Sequence, residues 1–600
     1  MGADGAVESR KVLSTPSDQS EGVATSLDAL GVSPADVNRV AHGTTVVTNL
    51  LLERRGARVV LCATAGATDL LELRRQDRAA LYDLSAQHPP PLVSADRVVG
   101  VSERRTPRGV TLALTDAEAE RVAGAVAALD PAVVVIVLLH AYDDDAHERS
   151  LAAAIRNRLP DTDIVLGAEV LPEIREYERT TTAVAEGYAR PSVSRYLARL
   201  SARLDRDGYP APEVMTSGGG MRTAAEAARA AASLALSGPA GGVVGAAAVL
   251  RAAGLDRALT IDIGGTSADA GLILGGVPLV EPGGRVAGVP IALPRVLVET
   301  VSAGGGSIAW MDDGGALRVG PRSAGAVPGP VAFGRGGTQP TVTDAHVTLG
   351  RLDAAHLPGG VTLDGTAARA AVEELAKRLG ASSQRTAEAI VAIADAEVAR
   401  ALRRVSVERG IDPRSCALVA FGGGGPLHAC ALADLLGMRS ILVPPCAGVL
   451  SALGLAIAPE LREAAASVMR TTSRLDRDSF AAVLRTLARR AAPPGTAVHY
   501  TWHARVRYAG QGHELDVPCA PGDGGDTLAT RFAATHAERY GFTLDRDAEV
   551  VAVRVAAQGE PVPVRFDETA SPALEMRGPD VVALADATMV VADGWTARTL

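Results

Sequence analysis

Two glycine clusters, each set at the end of an apolar run, constrain this 600-residue chain more than any other feature. The first is Ala258-Leu-Thr-Ile-Asp262-Ile-Gly264-Gly265-Thr266-Ser267-Ala268-Asp269, continued by Ala-Gly-Leu-Ile-Leu. A strand enters, two glycines turn, and a second strand leaves. With no Cβ at the turn, backbone N–H groups can close on a phosphate. Thr266 and Ser267 add hydroxyl donors, and Asp262 and Asp269 can hold Mg2+ directly or through water. A tight hairpin with solvated aspartates would use the same residues, and short motifs of this kind do arise by chance.

The second cluster lies roughly 160 residues further on. Phe421-Gly422-Gly423-Gly424-Gly425-Pro426-Leu427-His428 follows the apolar Ala417-Leu-Val-Ala420 and precedes a helix-like stretch, 429–436. A strand, a glycine loop and a helix N-terminus make a nucleotide pocket with a favourable dipole. No Gly-Lys-Ser/Thr follows, and no Gly-x-Gly-x-x-Gly with a later acid is present, so neither the Walker loop nor the dinucleotide fingerprint applies. Together the clusters point to an actin/hexokinase/Hsp70-like ATPase fold: two RNase H-like α/β domains, with a smaller β-rich C-terminal domain.

The rest of the chain fits an α/β layered protein. Val59–Ala63 and the unbroken apolar run Val133–Leu139 read as buried strands, and Asp116–Leu129 and His147–Leu159 as flanking helices. A helix is expected over Glu173–Leu204, broken at Pro191 because proline cannot continue the hydrogen-bond ladder. From about Leu461 the chain is expected to begin with a helix and turn β-rich around His499–Val517 and Val550–Val555. Six hundred residues exceed what one core usually supports. The expected division is 1–190, 191–460 and 461–600.

Charge and cysteine usage narrow the function classes. A net charge of −9 with no basic stripe argues against nucleic-acid binding. Only Lys11 and Lys377 are lysines, which weighs against Schiff-base chemistry. Five scattered cysteines without a C-x-x-C pair suit reduced thiols, and the polar MGADGAVESR start has no apolar leader core, so a cytoplasmic location is expected. The run Ile441–Ala458 contains Pro444 and Pro445 and reads as strand, loop and helix start, not as a membrane span.

A series of blocks then carries a specific resemblance. Ala41-His42-Gly43-Thr44-Thr45-Val-Val-Thr-Asn49, Glu72-Leu-Arg-Arg-Gln76 with Leu81-Tyr82-Asp83-Leu84, and Pro172-Glu173-Ile-Arg175-Glu176-Tyr-Glu178-Arg-Thr180 open it. Ser237-Gly-Pro-Ala-Gly-Gly242, Ser302-Ala-Gly304-Gly305-Gly306-Ser307, Val319-Gly-Pro-Arg-Ser-Ala-Gly-Ala326, Pro340-Thr-Val-Thr-Asp-Ala345 and Arg507-Tyr-Ala-Gly-Gln-Gly512 follow in order. The chain resembles the hydantoinase A/5-oxoprolinase family over nearly its whole length. The resemblance implies ATP-dependent ring opening of a lactam or imide, in which phosphate placed on the carbonyl oxygen makes a good leaving group. It implies Mg-ATP, a small cyclic amide substrate and a hydantoinase B-type partner in a hetero-oligomer. The alternatives are a non-catalytic regulatory or structural subunit and an ATP-dependent ketone carboxylase subunit.

Residue expectations follow. His42, Thr44, Thr45 and Asp262 are the candidate catalytic residues. Gly264, Gly265, Thr266, Ser267, Asp269, Gly304, Gly305, Gly306, Gly422, Gly423, Gly424 and Gly425 are the candidate nucleotide-binding residues, and Asp262 and Asp269 the candidate metal ligands. His42 can equally fix its own loop by hydrogen bonding, and the Gly304–Gly306 run can equally be a tight turn. His140 and His147 flank an aspartate run but match no zinc spacing and are expected to be solvated. Arg175, Glu176 and Glu178 are expected to form helix-surface ion pairs, with an interdomain role as the alternative. The resemblance also brings a departure: family members carry an earlier D-x-G-G-T-x-T-D loop, and Met1–Leu13 resembles the segment just after it, so the first phosphate loop and its strand are expected to be missing here. Gly424 stands where the family commonly has alanine, and the stretch before Arg577–Trp595 is short.

Overall fold

A computed structural model describes residues 1–2, 7–10, 12, 19–352, 362–492, 496–566 and 575–599. Of the N-terminal stretch expected to follow a missing loop, residues 3–6, 11 and 13 lie outside them. The fold is mixed α/β.

The N-terminal part begins with β1 (Val40–His42) and α1 (Val46–Glu53). The apolar runs then form β2 (Val59–Thr64), β3 (Val98–Val101), β4 (Val133–Val137) and β5 (Asp163–Leu166) in a parallel sheet of order β3-β2-β4-β5. Every residue of β2 and β4 is buried, as expected of strands covered on both faces. α2 (Asp116–Ala128) and α3 (Ala146–Arg158) cover one face, close to the expected spans. α4 (Glu176–Arg206) covers the other.

α4 corrects one expectation. It starts three residues later than proposed and runs through Pro191 without a break. The carbonyl that a Pro191 N–H would have bonded belongs to Gly187, which lies so close to Val135 that a Cβ would stand 2.6 Å from its methyl. Burial of the helix on the sheet outweighs the roughly 3 kcal/mol that an internal proline costs.

β6 (Pro212–Met215) runs parallel beside β1, and β7 (Met221–Thr223) returns antiparallel to it. α5 (Ser237–Ala252) leads into the central sheet. There β8 (Ala258–Ile263), β9 (Ala268–Leu274) and β10 (Val277–Pro278) form a meander, and β11 (Val298–Val301) also pairs with β9. α6 (Val342–Thr348) and α7 (Ser383–Ser406) follow. β12 (Ala417–Phe421) runs parallel to β8, α8 (Gly425–Leu436) begins at the glycine loop, and β13 (Ile441–Leu442) closes the order β10-β9-β8-β12-β13. α9 (Leu450–Ile457) crosses against α5.

The C-terminal part corrects a second expectation. Leu461–Thr471 is not a helix but a strand, β14. Its Ala-rich sequence favours helix, yet it pairs along most of its length with β17 (Ala548–Gln558). β15 (His499–Tyr508) and β16 (Leu515–Pro518) complete an antiparallel sheet of order β14-β17-β15-β16. Helices Arg477–Ala491 and Gly525–Tyr540 pack on it.

Candidate functional site

The Asp262 hairpin forms as read. β8 and β9 pair with Asp262 directly opposite Asp269, and the turn closes by a Gly264 N–H donating to Ser267 O at 3.0 Å. Opposed residues on antiparallel strands share a face, so the two carboxylates stand together. Gly264, Gly265 and Thr266 are exposed at the turn.

Both other glycine segments dock on this turn. The Gly305 N–H donates to Gly264 O at 3.0 Å and the Gly306 N–H to Gly265 O at 2.6 Å. The Gly424 N–H donates to Ile263 O at 2.9 Å. Gly422 has φ +78°, and a Cβ there would stand 2.2 Å from Asp262 Oδ1, so only glycine serves. The structure thus brings Gly264–Ser267, Gly304–Gly306 and Gly422–Gly425 together around one carboxylate pair.

Ser451, Thr300 and Thr343, the last from the Pro340–Ala345 block, complete the pair's surroundings. The Ser451 hydroxyl donates to Asp262 Oδ2 at 3.1 Å. The Thr300 hydroxyl donates to Asp269 Oδ1 at 2.5 Å. The Thr343 N–H and hydroxyl both donate to Gly305 O, at 2.8 and 2.9 Å. Burial, together with the charge of Asp262, pushes the Asp269 carboxyl up to about 6 despite the Thr300 bond. A carboxyl pair of this kind gains from a cation between its members. Among the described residues no group of three or more His, Cys, Asp or Glu could hold a metal. A cation at Asp262 and Asp269 would therefore complete its shell from phosphate and water, which is how Mg2+ is ordinarily held.

The His42 loop connects to this centre through α9. Leu455 packs over Gly43, with a methyl 3.0 Å from where a Cβ would stand, and Ser451 lies one turn away on the same helix, roughly 6 Å along it. The Ser237 hydroxyl at the start of α5 donates to Thr44 O at 3.1 Å. His42 Nε2 lies 2.8 Å from the Tyr196 hydroxyl of α4, and burial lowers its pKa to about 4, so the ring is neutral at pH 7. Thr44 is buried and its hydroxyl accepts from the Val46 N–H at 3.2 Å, while Thr45 is exposed.

Other singled-out residues take different roles. Arg175 takes the interdomain alternative: it ion-pairs with Glu514 and donates to Gly512 O of the C-terminal part. Glu178 pairs with Arg75 across to the Glu72–Gln76 block, and Glu176 pairs with Arg179 within its helix while also accepting from the His140 N–H at 2.9 Å. His147 and His140 are half-buried rather than fully solvated; His147 bonds to Glu103 and His140 to the Tyr142 hydroxyl. The neighbouring Asp143 and Asp144 bind Arg105. A cavity of about 520 Å3 lined by Arg74, Asp77, Arg78 and His88 contains none of the candidate site residues.

Comparison with known proteins gives the same picture at larger scale. The hydantoinase/oxoprolinase N-terminal region model matches residues 1–159 and the hydantoinase/oxoprolinase model residues 179–464. An uncharacterised protein of Methanocaldococcus jannaschii is 36% identical over 572 residues, 92% of this chain and 84% of its own. Caprolactamase subunit alpha of Pseudomonas jessenii is 37% identical over 469 residues, 75% of this chain and 67% of its own. 5-Oxoprolinase 1 of Arabidopsis thaliana is 33% identical over 477 residues, 72% of this chain but 37% of its own. The crystal structure of the ATP-dependent caprolactamase from Pseudomonas jessenii superposes with TM-score 0.85 and 29% identity, over 99% of this chain and 95% of that one. A nucleotide-free acetone carboxylase superposes with TM-score 0.78 and 25% identity, over 98% and 94%.

Proposed function

The chain belongs to the hydantoinase/oxoprolinase family, and from that premise we propose that it is the nucleotide-dependent subunit of a cyclic-amide hydrolase. The observation that carries this reading is the convergence of three glycine segments on the Asp262–Asp269 pair. The fold proposed is the actin-like one, with the nucleotide over the exposed turn; α4 crosses the expected boundary at 190/191 unbroken and belongs to the N-terminal core as far as Leu204.

Mg-ATP is the proposed cofactor, and it supplies a transferable phosphoryl group for an otherwise unreactive amide carbonyl. Asp262 and Asp269 hold the cation. Backbone N–H groups of Gly265 and Thr266 at the exposed turn face the phosphates, and Gly422–Gly425 at the start of α8 offers a surface free of side chains for the nucleoside. In such a site the protein's share is positioning and charge stabilisation. Neutral His42 is a candidate proton acceptor or loop-fixing residue; Thr44 and Thr45 hold the loop that carries it.

Caprolactamase subunit alpha and 5-oxoprolinase 1, relatives whose names carry cyclic amides, support a lactam as substrate over a ketone. Caprolactamase subunit alpha is by its name one subunit of an assembly, and we propose a B-type partner for this chain too. Five free cysteines support a reducing, cytoplasmic setting, and no described helix is long and apolar enough to cross a membrane. The test is ADP release by the full chain with a B-type partner, with caprolactam, 5-oxoproline, hydantoin, acetone or acetophenone. Stimulation by a lactam or imide is expected. Stimulation by the ketones alone would move the chain to the carboxylase class.

A further inference from the structure

Behind the three glycine segments lies a buried chain of polar groups that the proposed chemistry does not use. Asp395, His428 and His346 are 5% exposed or less and come from three different helices. His428 Nδ1 lies 2.5 Å from Asp395 Oδ1, and His428 Nε2 lies 3.2 Å from His346 Nε2, with the rings edge to face.

Each helix backs one glycine segment. α8 grows out of the Gly422–Gly425 loop, and His428 is in its first turns. α6 holds Gly305 through Thr343, and His346 is one turn on. α7, which carries Asp395, packs across β8, β9 and β11, the strands of the hairpin and its neighbour.

The chemistry fixes the direction of the chain. A carboxylate only accepts, so His428 Nδ1 carries hydrogen. Two ring nitrogens 3.2 Å apart share one hydrogen. Burial, the largest cause, holds the His346 pKa well below its ordinary value, so that ring is neutral. If His428 were doubly protonated, neutral His346 would bury an Nδ1–H donor with no acceptor, since Nδ1 has no hydrogen-bond partner among the described residues; orphaned buried donors are rarer than orphaned acceptors. The order is therefore His346 Nε2–H to His428 Nε2, and His428 Nδ1–H to Asp395.

We propose that Asp395, His428 and His346 form a positioning relay, one directional hydrogen-bond chain that locks the helices behind the three glycine segments into a single register. What those segments bind rests on the nucleotide reading above; the relay itself does not.

The test is amide hydrogen exchange of the full chain, read at 304–306 and 422–425, for wild type, His346→Phe, His346→Gln and Asp395→Leu. Phenylalanine keeps the ring and loses the donor; glutamine keeps a donor and loses the ring. His346→Phe should speed exchange in both segments about tenfold, the scale set by leaving a buried acceptor unpaired, and His346→Gln should stay within about threefold of wild type. Wild-type exchange in His346→Phe, acceleration in one segment alone, or a larger effect of glutamine than of phenylalanine would overturn the relay and leave a packing role. Should His346→Phe not fold, Asp395→Leu, of similar size but with no acceptor for His428 Nδ1–H, carries the same test, with acceleration in both segments expected and wild-type exchange overturning it. Mg-ATP titration of the same proteins keeps the two claims apart: a wild type that binds no ATP sinks the nucleotide reading while the exchange result still decides the relay.

Discussion

At the scale of single residues, Asp269 and Gly422 carry the sharpest consequences. The Asp269 carboxyl, raised from 3.8 to about 6, holds its proton in the folded state where the unfolded chain has lost it. Its contribution to stability therefore falls as pH rises between those values, and at neutral pH it is an ionised carboxylate in an unfavourable place. A cation relieves this, so Mg2+ affinity should weaken as pH drops through about 6; metal titration across pH 5 to 8 checks this, and a flat profile would remove Asp269 from the cation site. His42 works in the opposite sense: its pKa is lowered from 6.5 to about 4, so stability is lost as pH falls from 6.5 toward 4. At Gly422, Gly422→Ala meets both a positive φ and a 2.2 Å approach to Asp262 Oδ1. It should cost more than about 1 kcal/mol of stability and weaken nucleotide binding, read by denaturant unfolding and by titration. Full retention of both would mean that the loop's closeness to Asp262 has no role.

At the scale of elements, the crossing of α5 and α9 joins the His42 loop to the Asp262 hairpin. The helices approach so closely that a Cβ on Gly454 would stand 1.8 Å from Gly241 O. Gly454→Ala should force them apart and cost about 1–3 kcal/mol by overpacking, with a matching fall in midpoint temperature; an unchanged midpoint would show that the crossing is not tightly set. Some of these elements were legible in the sequence and others were not, for physical reasons. The hairpin and the α8 loop were legible because glycine and aspartate spacing is itself the local geometry. The unbroken apolar run at β4 was legible because a strand covered on both faces has no polar side. β14 was misread because Ala-rich Leu461–Arg470 has helical propensity, and only its partner β17, almost ninety residues later, makes it a strand. α4 crosses Pro191 because its packing, invisible in a local window, outweighs one missing hydrogen bond. Ser451, Thr300 and the Asp395–His428–His346 chain had no sequence signal, since each meets its partner only through the tertiary fold.

At the scale of the whole molecule, a buried ionic network ties the C-terminal sheet to the rest. Glu173 accepts from Arg554 at 2.5 Å and from Arg505 at 3.0 Å, and Arg554 also donates to Pro282 O and Ala292 O. Burial raises the Glu173 carboxyl, but the two arginines more than reverse this and hold it below the usual value. Glu173→Ala would leave both guanidiniums without their shared partner and should cost about 3–5 kcal/mol, with Arg505→Ala costing less in the Glu173→Ala background than alone; additive losses in that double-mutant cycle would count against a coupled network. The P-E-I-R and R-Y-A-G-Q-G blocks were visible in the sequence, but their meeting across more than 300 residues was not. The central claim is that three glycine segments and one carboxylate pair form a nucleotide site. Calorimetric titration of the full chain with Mg-ATP tests it most directly. The account predicts saturable binding by wild type and binding at least tenfold weaker in Asp262→Asn, the scale expected on losing one charged ligand. A folded wild type that binds no Mg-ATP, or an Asp262→Asn protein that binds it equally well, would contradict it.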